Sequence, residues 1–186
     1  KGEIVQELER LLPAHISFVG AHPIAGSEQW GAKAAIPDLF TRCRCILTPT
    51  RKTDSRSVKK LRSFWRRLGA RVEIMDPNLH DRILALVSHL PHVLAYALVN
   101  TLGRVDVDSV DLKEYCGGGF KDLTRIASSR PEIWRDICLV NRQAVSNSIL
   151  EYMRCLEKLR KSIHGGEGDL LEKEFNRANE LRRAIP

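Results

Sequence analysis

Apolar residues fall at helical spacing from Gly2 to Leu12 (Ile4, Val5, Leu8, Leu11, Leu12), and Pro13 stops the stripe. A short apolar run, Ile16-Ser17-Phe18-Val19-Gly20, then predicts a buried strand, with a turn at His22 after it. Trp30 to Phe40 is irregular, with room for a short helix broken at Pro37. Cys43 to Pro49 predicts a second strand. Thr53 or Asp54 can cap a helix with Val58, Leu61, Trp65 and Leu68 on one face and Gly69 at the C′ position. Arg71 to Met75 predicts a third strand. Residues 1–75 thus alternate helix and strand in the manner of an α/β unit with a parallel sheet. Three strands leave exposed edges, so this piece reads as incomplete.

From Pro77 onward no strand pattern recurs. Leu79 to Leu102 is apolar nearly all round, which predicts the central helix of a bundle. Pro91 removes a donor and clashes with the carbonyl of Val87, so a kink is expected there. Val105 to Leu112 is ambiguous, and Cys116-Gly117-Gly118-Gly119-Phe120 predicts a flexible connection. Asp122 to Ala127 fits a short helix. Pro131 suits the first position of a long helix running to about Ile163, ended by Gly165-Gly166. A last amphipathic helix carries Leu170, Leu171, Phe175, Ala178, Leu181 and Ile185. The chain is expected to be mostly α overall, with no internal repeat.

Charge changes this picture little. Between Arg51 and Arg67 eight basic residues stand against Asp54 alone, which accounts for the whole net charge of +7. The excess therefore lies on one helix, as a solvated face rather than a nucleic-acid surface; aromatic interleaving is limited to Phe64 and Trp65, and Trp65 is on the apolar stripe. Five cysteines without a C-x-x-C pair point to reduced thiols in a cytoplasmic protein, Cys43 and Cys45 serving as small apolar side chains on one strand face. The uncharged run Ile83 to Leu102 has about the length of a membrane helix. It contains Ser88, His89, Pro91, His92, Asn100 and Thr101, which are costly in lipid, so no membrane is expected.

Candidate chemistry centres on His22-Pro23-Ile24-Ala25-Gly26-Ser27-Glu28. Pro23 biases His22 to an extended conformation, placing an imidazole just beyond the end of a strand, where open α/β sheets bind ligands. The same pattern also fits a turn with a merely satisfied histidine. Ser88 and His92 share a helix face beside Pro91, and buried without partners they would cost about 1–3 kcal/mol each. They read equally as a core network or a site, while His89 points elsewhere and reads as structural. Asp122 and Arg125 lie one turn apart; Arg125 matters only where it faces a pocket and can hold a carboxylate bidentately. Trp134 reads as core packing. No G-x-G-x-x-G, P-loop, H-E-x-x-H or metal-ligand spacing is present.

The order of these segments, Phe18 to Glu28, then Cys45-Ile46-Leu47-Thr48-Pro49, Asp81-Arg82 leading to Ser88-His89-Leu90-Pro91-His92, Asp122 to Ala127, and Trp134-Arg135-Asp136-Ile137, resembles the prephenate dehydrogenase family of tyrosine biosynthesis over nearly the whole chain. The resemblance implies residues 1–75 as the C-terminal part of a Rossmann-like dinucleotide-binding domain and 76–186 as a helical substrate-binding and dimerisation domain. It implies NAD- or NADP-dependent oxidative decarboxylation of prephenate to 4-hydroxyphenylpyruvate, with arogenate as the alternative substrate. His22 would accept the hydroxyl proton and Arg125 would hold the ring carboxylate. His92 would recognise the side chain, and Ser88 would be a polar wall near the nicotinamide. Ser27 and Glu28 would gate the substrate, Asp122 would be tied to Arg125, and Gly118 and Trp134 would line the pocket, the tryptophan reaching across a homodimer interface. Tyrosine as a feedback inhibitor stays open. Lys1 opens directly on a helix, and the glycine fingerprint is missing along with a serine the family carries just before Lys1. The chain is therefore expected to be a fragment that binds NAD weakly or not at all and is inactive alone, a dimerisation or regulatory module being the alternative reading of it.

Overall fold

The computed structural model describes residues 1–26, 31, 33 and 35–185. They form two compact units, 1–145 and 146–186. In the first unit, helix α1 (Gly2–Leu11) precedes strand β1 (Gly20–Ile24); β2 (Arg44–Thr48), helix α2 (Ser55–Arg67) and β3 (Arg71–Ile74) come next. The sheet has the order β1-β2-β3, with β1 antiparallel to β2 and β2 parallel to β3. The expected all-parallel sheet is thus corrected to a mixed one. The β2-α2-β3 crossover has the length and helix that a parallel pair requires.

Asp54 caps α2 by accepting from the Ser57 N–H, and Gly69 takes φ 84° just past its end. This fixes the helix so that Val58, Leu61 and Trp65 pack with Val72 on the fully buried Cys45, Leu47 and Ala70. Lys59, Arg62, Arg66 and Arg67 stay exposed on the opposite face. The basic stretch is therefore the outer face of an α/β helix, and Cys43 and Cys45 are free thiols of the inner layer.

His22 was expected beyond a strand that ended at Gly20; the strand instead starts there and carries His22 as its third residue, opposite Ile46. The correction comes from edge position. Pro23 lacks a donor and is tolerated because, among the described residues, β1 has a neighbour on one side only. Gly20 is required by close approach, since a Cβ there would collide with Thr48 Oγ1 and stand 2.9 Å from Val5 Cγ2.

Helices α3 (Pro77–Leu84) and α4 (Leu90–Leu102) are joined without a break by a π turn at Ala85–His89. Asp76 caps α3, accepting from Asn78 N–H and Leu79 N–H with Pro77 in the first turn. The disturbance expected at Pro91 is taken up before it, where Leu90 N–H bonds back to Ala85 O in the wider π ladder. Burial is one-sided rather than all round: Leu84, Ala85, Leu90 and Ala95 are buried, whereas Leu86 and Val87 are 57% and 64% exposed.

A 3-10 turn at Leu112–Tyr115 leads to helix α5 (Gly118–Thr124) and a second 3-10 turn at Arg125–Ser128. The triple glycine, expected as a connection, is the N-terminus of α5, with Gly117 extended before it. The long helix expected from Pro131 is two helices, α6 (Pro131–Val140) and α7 (Arg142–His164). Asn141 leaves the helical region (φ −110°, ψ 30°) and its side-chain amide bonds to Asp81 O at 2.8 Å, which is the local competition that breaks the helix.

In the second unit the C-terminal part of α7 turns at Gly165-Gly166 into helix α8 (Gly168–Ala184). Lys158 and Glu174 form an exposed ion pair between the two. Leu150, Met153, Leu156, Ile163, Phe175 and Leu181 all remain exposed.

Gly20→Ala is expected to destabilise the first unit by about 1–3 kcal/mol through overpacking between β1, β2 and α1. Urea unfolding measures it; an unchanged midpoint would refute the close-approach reading.

Candidate active site

A cavity of about 640 Å³ is lined by His22 to Gly26 from β1 and the segment after it, by Leu84, Val87, Ser88 and His92 from the α3–α4 run, and by residues of the 126–134 segment. The last wall is fixed by Tyr96 of α4, whose hydroxyl donates to Ser129 O at 2.7 Å, while Ser129 Oγ donates to Ile126 O at 2.6 Å. Pro131 then starts α6, aligning Trp134 with the cavity.

Four of the sequence-predicted site residues meet here: His22, Ser88, His92 and Trp134. His92 Nδ1 lies 2.8 Å from Ser88 O; a carbonyl only accepts, so Nδ1 carries a proton and donates, leaving Nε2 for the cavity side. Trp134 stacks on the His92 ring of its own chain, centroids 3.5 Å apart and planes 18° apart. His89 meets Trp134 edge-on at 6.2 Å. Arg125 sits in the 3-10 turn beside Ile126, and Asp122 and Gly118 lie on α5; all three are exposed, and none is among the described lining residues. Ser27 and Glu28 lie outside the described residues.

Behind His22 is a chain of groups that sequence reading missed. His22 Nδ1 is 2.8 Å from His80 Nε2, and His80 Nδ1 is 2.9 Å from Asp81 Oδ1. His80 is 3% exposed. The other Asp81 oxygen accepts from Gly2 N–H at 2.8 Å. Asn141 donates to Asp81 O and, at 3.2 Å, to His89 Nδ1. His89 Nδ1 is therefore an acceptor and the ring is neutral. Arg130, also unforeseen, adds a guanidinium to the cavity wall. The available signal was the spacing of His80-Asp81 at the fourth and fifth positions of a Pro-started helix, which carries no meaning until β1 is placed against it.

Burial pushes the His22 imidazole down to about 4, with the positive charge of Lys1 and the neighbouring His80 acting in the same direction. His89 is likewise brought to about 4 by burial, against a smaller opposing pull from Asp81. Burial works to raise the Asp81 carboxyl, but hydrogen bonds from His80, the terminal amine and Gly2 N–H outweigh it and hold it well below the usual carboxylate range. Cys45, beneath His22 in the sheet, is pushed up to about 11 by burial first and by Cys43 second, so it is a packed thiol rather than a nucleophile. Among the described residues no group of His, Cys, Asp and Glu could hold a metal ion.

Residues 1–74 match the family described as prephenate dehydrogenase, nucleotide-binding domain, and residues 76–177 match prephenate dehydrogenase, dimerization domain. The chain belongs to the prephenate dehydrogenase family. It is 36% identical over 186 residues to the cyclohexadienyl dehydrogenase of Zymomonas mobilis, covering 100% of this chain and 63% of that protein. It is 35% identical over the same length to the prephenate dehydrogenase of Bacillus subtilis, covering 50% of it. The crystal structure of prephenate dehydrogenase from A. aeolicus in complex with hydroxyphenyl propionate and NAD+ superposes with a TM-score of 0.94 at 41% identity, over 100% of this chain and 64% of that one. The chain thus spans about half to two thirds of the length of these relatives. For a dinucleotide, the phosphate-binding end has no counterpart among the described residues. No glycine-rich turn after a strand offers N–H groups to a pyrophosphate. At the cavity, nothing among the described residues stands within 4 Å of where a Cβ of Gly26 would be.

Stability of the first unit should depend on pH through these imidazoles. His22 and His89 bind a proton near 6.5 when unfolded but only near 4 when folded, so between those values the unfolded chain holds more protons. Their contribution is complete above about 6.5 and is lost as pH falls towards 4. Urea unfolding at stepped pH should show this loss, and a smaller slope in His89→Asn; a flat profile across the window would contradict it.

Proposed function

We propose that this chain is the substrate-binding and proton-handling part of a prephenate dehydrogenase. Residues 1–75 serve as the C-terminal part of the dinucleotide-binding domain and 76–186 as the substrate-binding and dimerisation domain. The observation that carries the reading is a half-buried, neutral imidazole, His22, on a cavity that also presents Ser88, His92 and the guanidinium of Arg130. The ligand of the A. aeolicus relative, hydroxyphenyl propionate, is of the chemical type such a cavity suits: a phenolic ring on a carboxylate-bearing chain.

The reaction can be built from these groups. NAD or NADP supplies the hydride acceptor when bound. The ring carbinol of prephenate loses its hydroxyl proton to His22 as its C–H leaves as hydride. The ring carboxylate then departs as carbon dioxide, its bonding pair passes through the ring to the carbonyl oxygen, and that oxygen takes the proton back from His22 to give the phenol. Arg125 and Arg130 are the groups to hold the two carboxylates; a guanidinium fork matches a carboxylate in two hydrogen bonds. His92, stacked on Trp134 and anchored by Ser88 O, presents Nε2 towards the substrate side chain, where prephenate and arogenate differ. The cyclohexadienyl dehydrogenase relative supports acceptance of either substrate at that end. Ser27 and Glu28 keep the role of a gate, and Asp122 that of a partner to Arg125.

His22→Asn in the full-length protein is expected to lower kcat by about 10²–10⁴-fold while leaving substrate affinity nearly unchanged. Steady-state NADH or NADPH formation measures it; near-normal kcat would remove His22 as the base.

The homodimer proposed here rests on apolar surface. Leu86 on the π turn, and separately the Leu150-Met153-Leu156 row of α7, lie exposed where a protein this polar elsewhere gains by covering them. Light scattering of the full-length protein should give a dimer, weakened by Met153→Glu; a monomer would end this proposal.

A further inference from the structure

We infer that His80 and Asp81 are positioning residues that set the tautomer of His22, so that its cavity-side Nε2 is bare and ready to take a proton. The inference rests on the reading of His22 as the proton acceptor and adds to it a reason why that imidazole has the correct nitrogen free.

Donors and acceptors can be counted along the three side chains. A carboxylate only accepts, so the 2.9 Å contact from His80 Nδ1 to Asp81 Oδ1 requires the proton on His80 Nδ1. A neutral His80 then has an unprotonated Nε2. That nitrogen stands 2.8 Å from His22 Nδ1, and two bare nitrogens at this distance would repel. His22 must therefore donate from Nδ1, which leaves Nε2 without a proton. The opposite arrangement needs His80 to carry protons on both nitrogens. Its Nε2–H would then donate to His22 Nδ1, and the His22 proton would move to Nε2, abolishing the base. A single proton taken up by the histidine couple is thus enough to switch the site off.

The geometry allows little else. His80 is buried on α3, which Asp76 and Pro77 start in a fixed register. Asp81 is held by Gly2 N–H through one oxygen and through its carbonyl by Asn141. His22 is on an edge strand whose pairing with β2 sets which way its ring points. The charged or titratable groups around the couple are Lys1 on the α1 side, Cys45 from β2, and His89 from the π turn. Lys1 Nζ donates to Ala21 O, Cys45 is a buried neutral thiol, and His89 is a neutral acceptor of Asn141. None of these offers His22 Nδ1 an alternative hydrogen-bond partner. The arrangement parallels the way a carboxylate fixes the tautomer of a catalytic or metal-bound imidazole, with a second imidazole interposed.

The test compares three variants of the full-length protein with a direct reading of the tautomer. His80→Leu cannot accept from His22 and is expected to lower kcat about 10–100-fold with KM little changed, the usual loss for a group that orients another. His80→Gln can accept through Oε1 while donating to Asp81, and should recover most of that loss. Asp81→Asn removes the charge that favours a protonated couple, so the acid limb of the kcat/KM profile should move to lower pH. Imidazole 15N shifts of the wild type should show His22 protonated at Nδ1 and bare at Nε2, a result independent of whether a variant folds. Equal losses in His80→Leu and His80→Gln, an acid limb that stays in place in Asp81→Asn, or a proton on His22 Nε2 would each overturn the inference. Full activity in His22→Asn would instead overturn the reading beneath it.

Discussion

A carboxylate withdrawn from water has to find donors for both oxygens, and in this chain that requirement falls on Asp81. One oxygen takes the Gly2 N–H at the start of α1 and the other takes His80. The backbone carbonyl of the same residue takes Asn141 at the break between α6 and α7. Three parts of the chain far apart in sequence, α1, the α6–α7 break and, through His80, β1, are thereby tied to one turn of α3. An unpaired buried charge would be strongly destabilising, so these segments are not free to drift independently. The cavity inherits this constraint. Its β1 wall, its α3–α4 wall and its α6 wall are each one or two contacts from Asp81.

Sequence patterns were sufficient for the parts governed by local chemistry. The α2 cap at Asp54, its end at Gly69, the apolar stripe of Val58, Leu61 and Trp65, and the grouping of Ser88 with His92 all depend on spacing within one element, and all are present. What was not legible depends on pairing across the chain. The start of β1 shifted because Pro23 is acceptable only at a sheet edge, and edge status is a property of the sheet rather than of the segment. The break at Asn141 was hidden because an asparagine in a helical pattern is ordinary until Asp81 O is beside it. The link from His22 through His80 to Asp81 was hidden for the same reason.

The π turn shows how a backbone irregularity serves the site. Pro91 leaves carbonyls of the preceding turn without a donor, and the widened ladder at Ala85–His89 is where the helix absorbs that defect. The extra residue rotates α4 relative to α3. Ser88 and His92 face the cavity, while His89 turns to Asn141 and the edge of Trp134. The same rotation leaves Leu86 outside, 57% exposed, a local hydrophobic cost that burial against a partner would offset.

A low proton affinity at His22 is consistent with the proposed chemistry. Burial brings it to about 4, well below the usual range for an imidazole and far below that of an alcohol. An alcohol in its ground state would not give its proton to so weak a base. As hydride leaves the carbinol carbon, however, the oxygen becomes that of a protonated carbonyl, which is a strong acid, and the transfer is then downhill even to His22. The demand on the imidazole is therefore to be neutral at working pH and to present the correct nitrogen, rather than to be strongly basic. Burial meets the first condition. The donor sequence that ends at Asp81 meets the second, because a carboxylate at the far end permits only one placement of the proton along a neutral histidine pair.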